Sequence, residues 1–126
     1  MGSITPDQYK MMLSRLEGNS LRAAGVPDDA VEDEVNDLHY PIIDFCKKAI
    51  PEIPYIWSRT DKAATIGKGT PDFSLFYKGK AYLFECKSKR GTVSPDQVVW
   101  KIKAEAQQFT VHVIRSMREF LEIIES

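Results

Sequence analysis

Residues 73–84 of this chain, FSLFYKGKAYLF, set two apolar, aromatic-rich runs on either side of Lys78-Gly79. Such runs joined by a two-residue turn predict a β-hairpin. Its register follows from the turn. Tyr77 faces Lys80, Leu75 faces Tyr82 and Phe73 faces Phe84, and the last four with Cys86 give one apolar face. Extending the register by one pair sets Asp72 opposite Glu85, and Lys87 lies two residues beyond Glu85 on the same face. A bulge at Gly79 would shift the pairing by one residue and turn a side chain to the other face.

Directly opposed residues carry Cβ atoms about 4.5–5.5 Å apart. Lys87 is about 6.7 Å further along the strand. Two carboxylates that close repel unless positive charge lies between them. They can share a divalent cation with oxygen ligands at about 2.0–2.1 Å, as Mg²⁺ prefers. The Cys86 carbonyl offers another ligand. Lys87 then stands where it can hold a water or offset charge that develops on phosphorus. The plainer alternative is a half-exposed sheet with Lys87 as a salt-bridge partner.

The elements around the hairpin predict an α/β fold with a mixed sheet. Thr5, Pro6 and Gln8 cap a first helix that stops at Gly18-Asn19. A longer helix is expected over residues 29–49, started by Pro27-Asp28-Asp29 and kinked or broken at Pro41. IPYIWSRT reads as strand one, the hairpin as strands two and three. Ser94, Pro95 and Gln97 form the start of a helix that should reach about Gln108. FTVHVIR, residues 109–115, is strand four, and Ser116 caps a last helix. Residues 1–28 are expected as a helical extension and 29–126 as the main domain.

Charge is uneven along the chain although the net value is only −1. Residues 1–58 carry five basic and ten acidic side chains, residues 59–103 carry ten and four, and residues 104–126 carry two and four. The basic middle third surrounds Asp72, Glu85 and Lys87. It suits a polyanion, or forms a solvated lysine-rich surface. No apolar run reaches membrane-span length, no secretory signal is recognisable, and MGSITP lacks the myristoylation pattern. The expectation is a cytoplasmic protein of a cell, bacterial or phage-infected. Cys46 and Cys86 lack zinc-ligand spacing and read as buried reduced thiols. GKG at 67–69 lacks the spacing of a P-loop.

Pro71-Asp72 followed by Glu85-Cys86-Lys87 resembles the PD-(D/E)xK nuclease superfamily. Gly69-Thr70-Pro71-Asp72-Phe73, then Phe84-Glu85-Cys86-Lys87, then Gly91 and Ser94-x-x-Gln97 at a helix start, then Val111-His112-Val113-Ile114 and Ser116, resemble its VRR-NUC branch over roughly residues 30–126. The resemblance implies a restriction-endonuclease-like core with a mixed four-stranded sheet flanked by helices. It implies Mg²⁺- or Mn²⁺-dependent hydrolysis of phosphodiester bonds in structured or branched DNA, such as a four-way (Holliday) junction, by a homodimer. Asp72 and Glu85 would be metal ligands, Lys87 the catalytic lysine and Gln97 a supporting residue. The family also uses an acid from the helix before the sheet. Glu34 is chosen because Glu34, Leu38 and Ile42 share a helical face, with Glu32 and Asp37 as alternatives. His39 stands where the family pattern has glutamine.

Arg59, Lys62, Lys68, Lys89 and Arg90 flank these residues and can contact phosphates. Trp57 and Trp100 can stack on bases, although core packing is the expected role. His39 and His112 read as structural. The rival function is a nucleic-acid-binding or assembly module that keeps the fold without turnover.

Overall fold

The computed structural model describes residues 26–58 and 68–126. The expected N-terminal helix, Arg59 and Lys62 lie outside the described residues. The fold is α/β, with a four-stranded mixed sheet in the order β1-β2-β3-β4 and three α-helices among the described residues. The strands are β1 (Tyr55–Trp57), β2 (Phe73–Tyr77), β3 (Lys80–Cys86) and β4 (Val111–Ile114). The helices are α1 (Tyr40–Lys48), α2 (Pro95–Ala106) and α3 (Met117–Ile124). No helix among them is long and apolar enough to cross a membrane.

The hairpin has the register expected from its turn. Phe73 pairs with Phe84, Leu75 with Tyr82 and Tyr77 with Lys80. Lys78 and Gly79 both have positive φ, 49° and 76°, as the commonest tight hairpin turn requires at its two central residues. β1 adds antiparallel to β2, and β4 adds parallel to β3. The parallel pair needs a crossover, which is α2.

The period of two along a strand sorts side chains between two layers. Phe73, Leu75, Phe84, Cys86 and Ile114 are fully or almost fully buried on one face. They pack with Leu38, Ile42 and Cys46 from the first helical segment and with Phe120 and Ile124 from α3. Each such side chain contributes about 1.5–3 kcal/mol by leaving water. The opposite face carries Glu85 and Val111. Val98 of α2 is buried outside the main core cluster, and Gln97 reaches Glu85 from the same helix. Glu85 therefore faces the α2 layer, while the Asp72 carboxylate, at the strand end, reaches the Cys86 N–H and lies near His39.

The first helical segment departs from expectation. It begins at Glu34 and not near residue 29, and Val35–His39 is a π-helical turn that runs into α1. The Tyr40 N–H bonds the Val35 carbonyl, an i→i+5 step. Pro41 follows and has no N–H to give. The expected kink is thus a one-residue slip in the helical register, just before the proline. Residues 26–33 are instead stitched in by main-chain bonds: Val31 N–H to Arg115 O at 2.7 Å, and Lys89 N–H to Val31 O at 2.6 Å. Asp29 also pairs with Arg118 through two hydrogen bonds.

α2 stops at Ala106, two residues short of expectation, because Gln108 turns to φ 69° and the Ala104 carbonyl takes the N–H groups of Gln107 and Phe109. β4 is correspondingly shorter than residues 109–115. α3 starts where expected, with the Ser116 hydroxyl accepting from the Glu119 N–H.

Candidate metal centre

Asp72 leaves the end of β2 at the point where Pro71 interrupts the ladder. The hairpin register sets Pro71 opposite Cys86, and a proline has no N–H to give the Cys86 carbonyl. The Cys86 N–H goes instead to Asp72 Oδ2 at 2.8 Å, while the Lys87 N–H bonds Ile114 O on the other side. Amide and carbonyl of one strand residue point the same way, so the Cys86 carbonyl faces the Asp72 side. The Pro-Asp pair thus ends one strand and turns both a carboxylate and a neighbouring carbonyl to one place.

Glu85 lies beside it, 3% exposed, and Asp72 is 2% exposed. Gln97 Nε2 donates to Glu85 Oε1 at 2.7 Å, and Lys87 Nζ lies 3.8 Å from the same oxygen. Gln97 is fixed by the α2 capping box: its Oε1 accepts from Ser94 N–H at 2.8 Å, and its own N–H donates to Ser94 Oγ at 3.3 Å. Such a cap contributes about 0.5–2 kcal/mol. One side chain therefore starts the helix and orients Glu85.

Gly69 sets the distance between the Pro-Asp turn and this helix. Its φ is +81°, and a Cβ there would run into the Asp96 carbonyl and lie 2.9 Å from Gln97 N. Gly69→Ala is expected to lower stability by more than about 1 kcal/mol and to move Gln97 away from Glu85. Urea denaturation checks the first effect and the structure of the variant the second; unchanged stability would contradict the close approach.

The π turn brings in the third acid. An i→i+5 turn stacks His39 over Glu34, whereas an α turn would stack Leu38 there. His39 Nε2 lies 3.4 Å from Glu34 Oε1 and 3.6 Å from Asp72 Oδ2. Glu34 thus joins the group, but not through the helical face it was expected to share with Leu38 and Ile42, which are core residues. Glu32 and Asp37 are exposed, and Asp37 accepts from Asp33 N–H. His39 was expected to be structural, yet its ring stands between two of these acids. The missing signal was the π turn, which the proline only hints at.

Burial first, then the Asp72 carboxylate beside it, pushes the Glu85 carboxyl up to about 9, and Lys87 only partly offsets this. Burial pushes His39 down, but Asp72 and Glu34 outweigh it and raise the ring to about 9. Trp57 acts the other way. Its Nε1–H donates to His39 Nδ1 at 3.3 Å, and a second ring proton would set two N–H groups face to face. A cation held by the carboxylates removes their pull on that proton.

Once Glu85 is ionised, three crowded acids face one lysine and one histidine, and negative charge is in excess. Among the described residues the side-chain ligand atoms that lie within 4.8 Å of one another are those of His39, Asp72 and Cys86; Glu34 and Glu85 stand next to that group with oxygens of the kind a hard divalent cation takes. For Glu85, whose folded pKa lies above its ordinary 4.5, the contribution to stability is full below that value and is lost as pH rises through about 9. His39, raised from 6.5, adds in the same sense. In EDTA the protein is expected to melt at a lower temperature at pH 9 than at pH 6, with Mn²⁺ restoring more at pH 9. A flat profile in EDTA would contradict the charge crowding.

Lys68, Lys89 and Arg90 are exposed on segments flanking the group. Trp57 is packed, stacking on Phe73 with ring centroids 6.3 Å apart. Cys46 and Cys86 are free and buried, as expected. His112 packs its ring on Phe84. Comparison with known proteins found nothing similar: no family model, curated protein or solved structure matches the chain.

Proposed function

We propose that this protein is a divalent-metal-dependent DNA nuclease of the PD-(D/E)xK type, with a restriction-endonuclease-like core and a VRR-NUC-like site. The observation that carries the reading is the buried Asp72–Glu85 pair with Lys87 and Glu34 around it, in which burial first and then the Asp72 carboxylate push Glu85 up to about 9. Buried acids this strongly perturbed, beside a lysine, are candidates for a functional site.

Asp72, Glu85, Glu34 and the Cys86 carbonyl would hold Mg²⁺ or Mn²⁺. The bound ion would supply Lewis acidity at the phosphate and a water more easily deprotonated than in bulk. Gln97 keeps Glu85 oriented. Lys87 places its ammonium group beside Glu85, where it offsets the charge that grows on the phosphoryl oxygens. Lys68, Lys89 and Arg90 are the expected phosphate contacts, with Arg59 and Lys62 from the sequence reading. Branched or otherwise structured DNA is the proposed substrate. Symmetric cutting of a junction needs two sites, hence a homodimer.

The test is plasmid and four-way-junction DNA incubated with Mg²⁺, Mn²⁺ or EDTA and resolved on a gel. Cleavage in either metal and none in EDTA is expected. DNA binding that persists in EDTA, without cleavage under any condition, would replace this reading with that of a binding or assembly module.

A further inference from the structure

His39 carries an unused possibility that rests on the metal-centre reading above. Its Nε2 is buried and has no hydrogen bond of acceptable geometry. The neighbouring oxygens, Glu34 Oε1 at 3.4 Å and Asp72 Oδ2 at 3.6 Å, are too far for a good N–H···O bond. They match the edge between two ligands of one ion: bonds of about 2.0–2.2 Å at a tetrahedral angle hold ligand atoms roughly 3.3–3.6 Å apart. His39, Asp72 and Cys86 also bring nitrogen, oxygen and sulfur atoms within 4.8 Å of one another. That is the donor mix of a zinc site. Zinc outcompetes Mn²⁺ for most nitrogen and sulfur donors, so a site meant for harder ions must silence them.

The other ring nitrogen does this. An indole N–H can only donate. Because Trp57 Nε1 donates to His39 Nδ1, Nδ1 must present a lone pair and the neutral ring carries its hydrogen on Nε2. Nε2 then has no lone pair for a metal. Metal-bound histidines show the reverse arrangement, with the second nitrogen donating to an acceptor. The indole is held in place by its stack on Phe73 and by an edge contact with Tyr40. The Cys86 side chain is wholly buried and packs in the apolar core cluster.

We propose that Trp57 sets the metal selectivity of the site: by donating to His39 Nδ1 it keeps Nε2 protonated, excludes His39 from the ligand set, and leaves an oxygen-only site for Mg²⁺ or Mn²⁺. Trp57 is a positioning residue that acts through His39.

Trp57→Phe keeps a ring against Phe73 and removes the N–H. Wild type, Trp57→Phe and the double variant Trp57→Phe/His39→Gln are titrated with Mn²⁺ and Zn²⁺ by calorimetry and with Co²⁺ by visible absorption. Wild type is expected to bind Mn²⁺ and to show the weak Co²⁺ bands of six oxygen ligands. Trp57→Phe is expected to gain at least about tenfold in Zn²⁺ affinity, the scale of second-sphere effects on a metal, and the stronger Co²⁺ bands of fewer, nitrogen-containing ligands. Both gains disappear in the double variant. Nitrogen NMR of the Mg²⁺-loaded wild type reads the His39 tautomer directly, whatever the folding of the variants, and is expected to show hydrogen on Nε2. Hydrogen on Nδ1, or equal Zn²⁺ affinity in wild type and Trp57→Phe while both bind Mn²⁺, overturns the inference alone. A wild type that binds no Mn²⁺ overturns the nuclease reading and the inference together.

Discussion

Asp72→Asn is expected to cut metal-dependent cleavage by about a hundred- to a thousandfold, and at the same time to stabilise the protein in EDTA above about pH 9, where Glu85 is ionised and His39 has lost its proton. The loss is of the scale seen when one electrostatic partner is removed from a preorganised site. The gain comes from the same charge. Asp72 is almost fully buried and, after burial itself, is the main reason the Glu85 carboxyl is pushed up. Asparagine keeps an oxygen to accept the Cys86 N–H, which Asp72 Oδ2 now takes at 2.8 Å, so the strand end stays closed. Removing the charge relieves Glu85 and should raise unfolding free energy by about 1 kcal/mol or more, the equivalent of one pKa unit. A gel assay in Mg²⁺ and urea denaturation in EDTA above about pH 9 measure the two effects. A purely structural acid would behave oppositely, losing stability and leaving any cleavage untouched. Cleavage at the wild-type rate in this variant would end the assignment.

The hairpin was legible because its information is local. Two turn residues set the register, and the register alone set Asp72 beside Glu85. The α2 start was legible for the same reason, since Ser94, Pro95 and Gln97 lie within four residues of one another. What local pattern did not contain was the second use of Gln97, whose amide reaches across to Glu85. The first helix differs from its pattern because the break expected at Pro41 lies just before it, as a π turn over Val35–His39, and the Glu34–Leu38–Ile42 face does not survive the turn. Leu38 and Ile42 enter the core while Glu34 lines up with His39. Of the three acids, Glu34 is the one the structure sets against His39, whose ring also faces Asp72. The partner of His39 was beyond reach from sequence, because Trp57 comes from β1, eighteen positions away, and meets the ring only after the sheet has packed. Those departures concentrate at the candidate site, where a fold commonly breaks its own local rules.

Lys87→Ala separates holding the metal from using it. Lys87 lies 3.8 Å from Glu85 Oε1, its main chain is tied to Ile114, and its side-chain stem rests against Gly91. The backbone that presents the Cys86 carbonyl therefore does not depend on the ammonium group. Removing that group takes a positive charge away from a pocket that is already too negative, so Mn²⁺ affinity measured by calorimetry is expected to hold or rise. Cleavage is expected to fall by at least about a hundredfold, because no other cation among the described side chains pairs with Glu85 to offset charge on phosphorus. The two readouts must move apart for the assignment to stand. A variant that loses metal binding and cleavage in proportion would make Lys87 a structural partner of Glu85. One that cuts DNA normally would leave the chemistry without its charge-offsetting group.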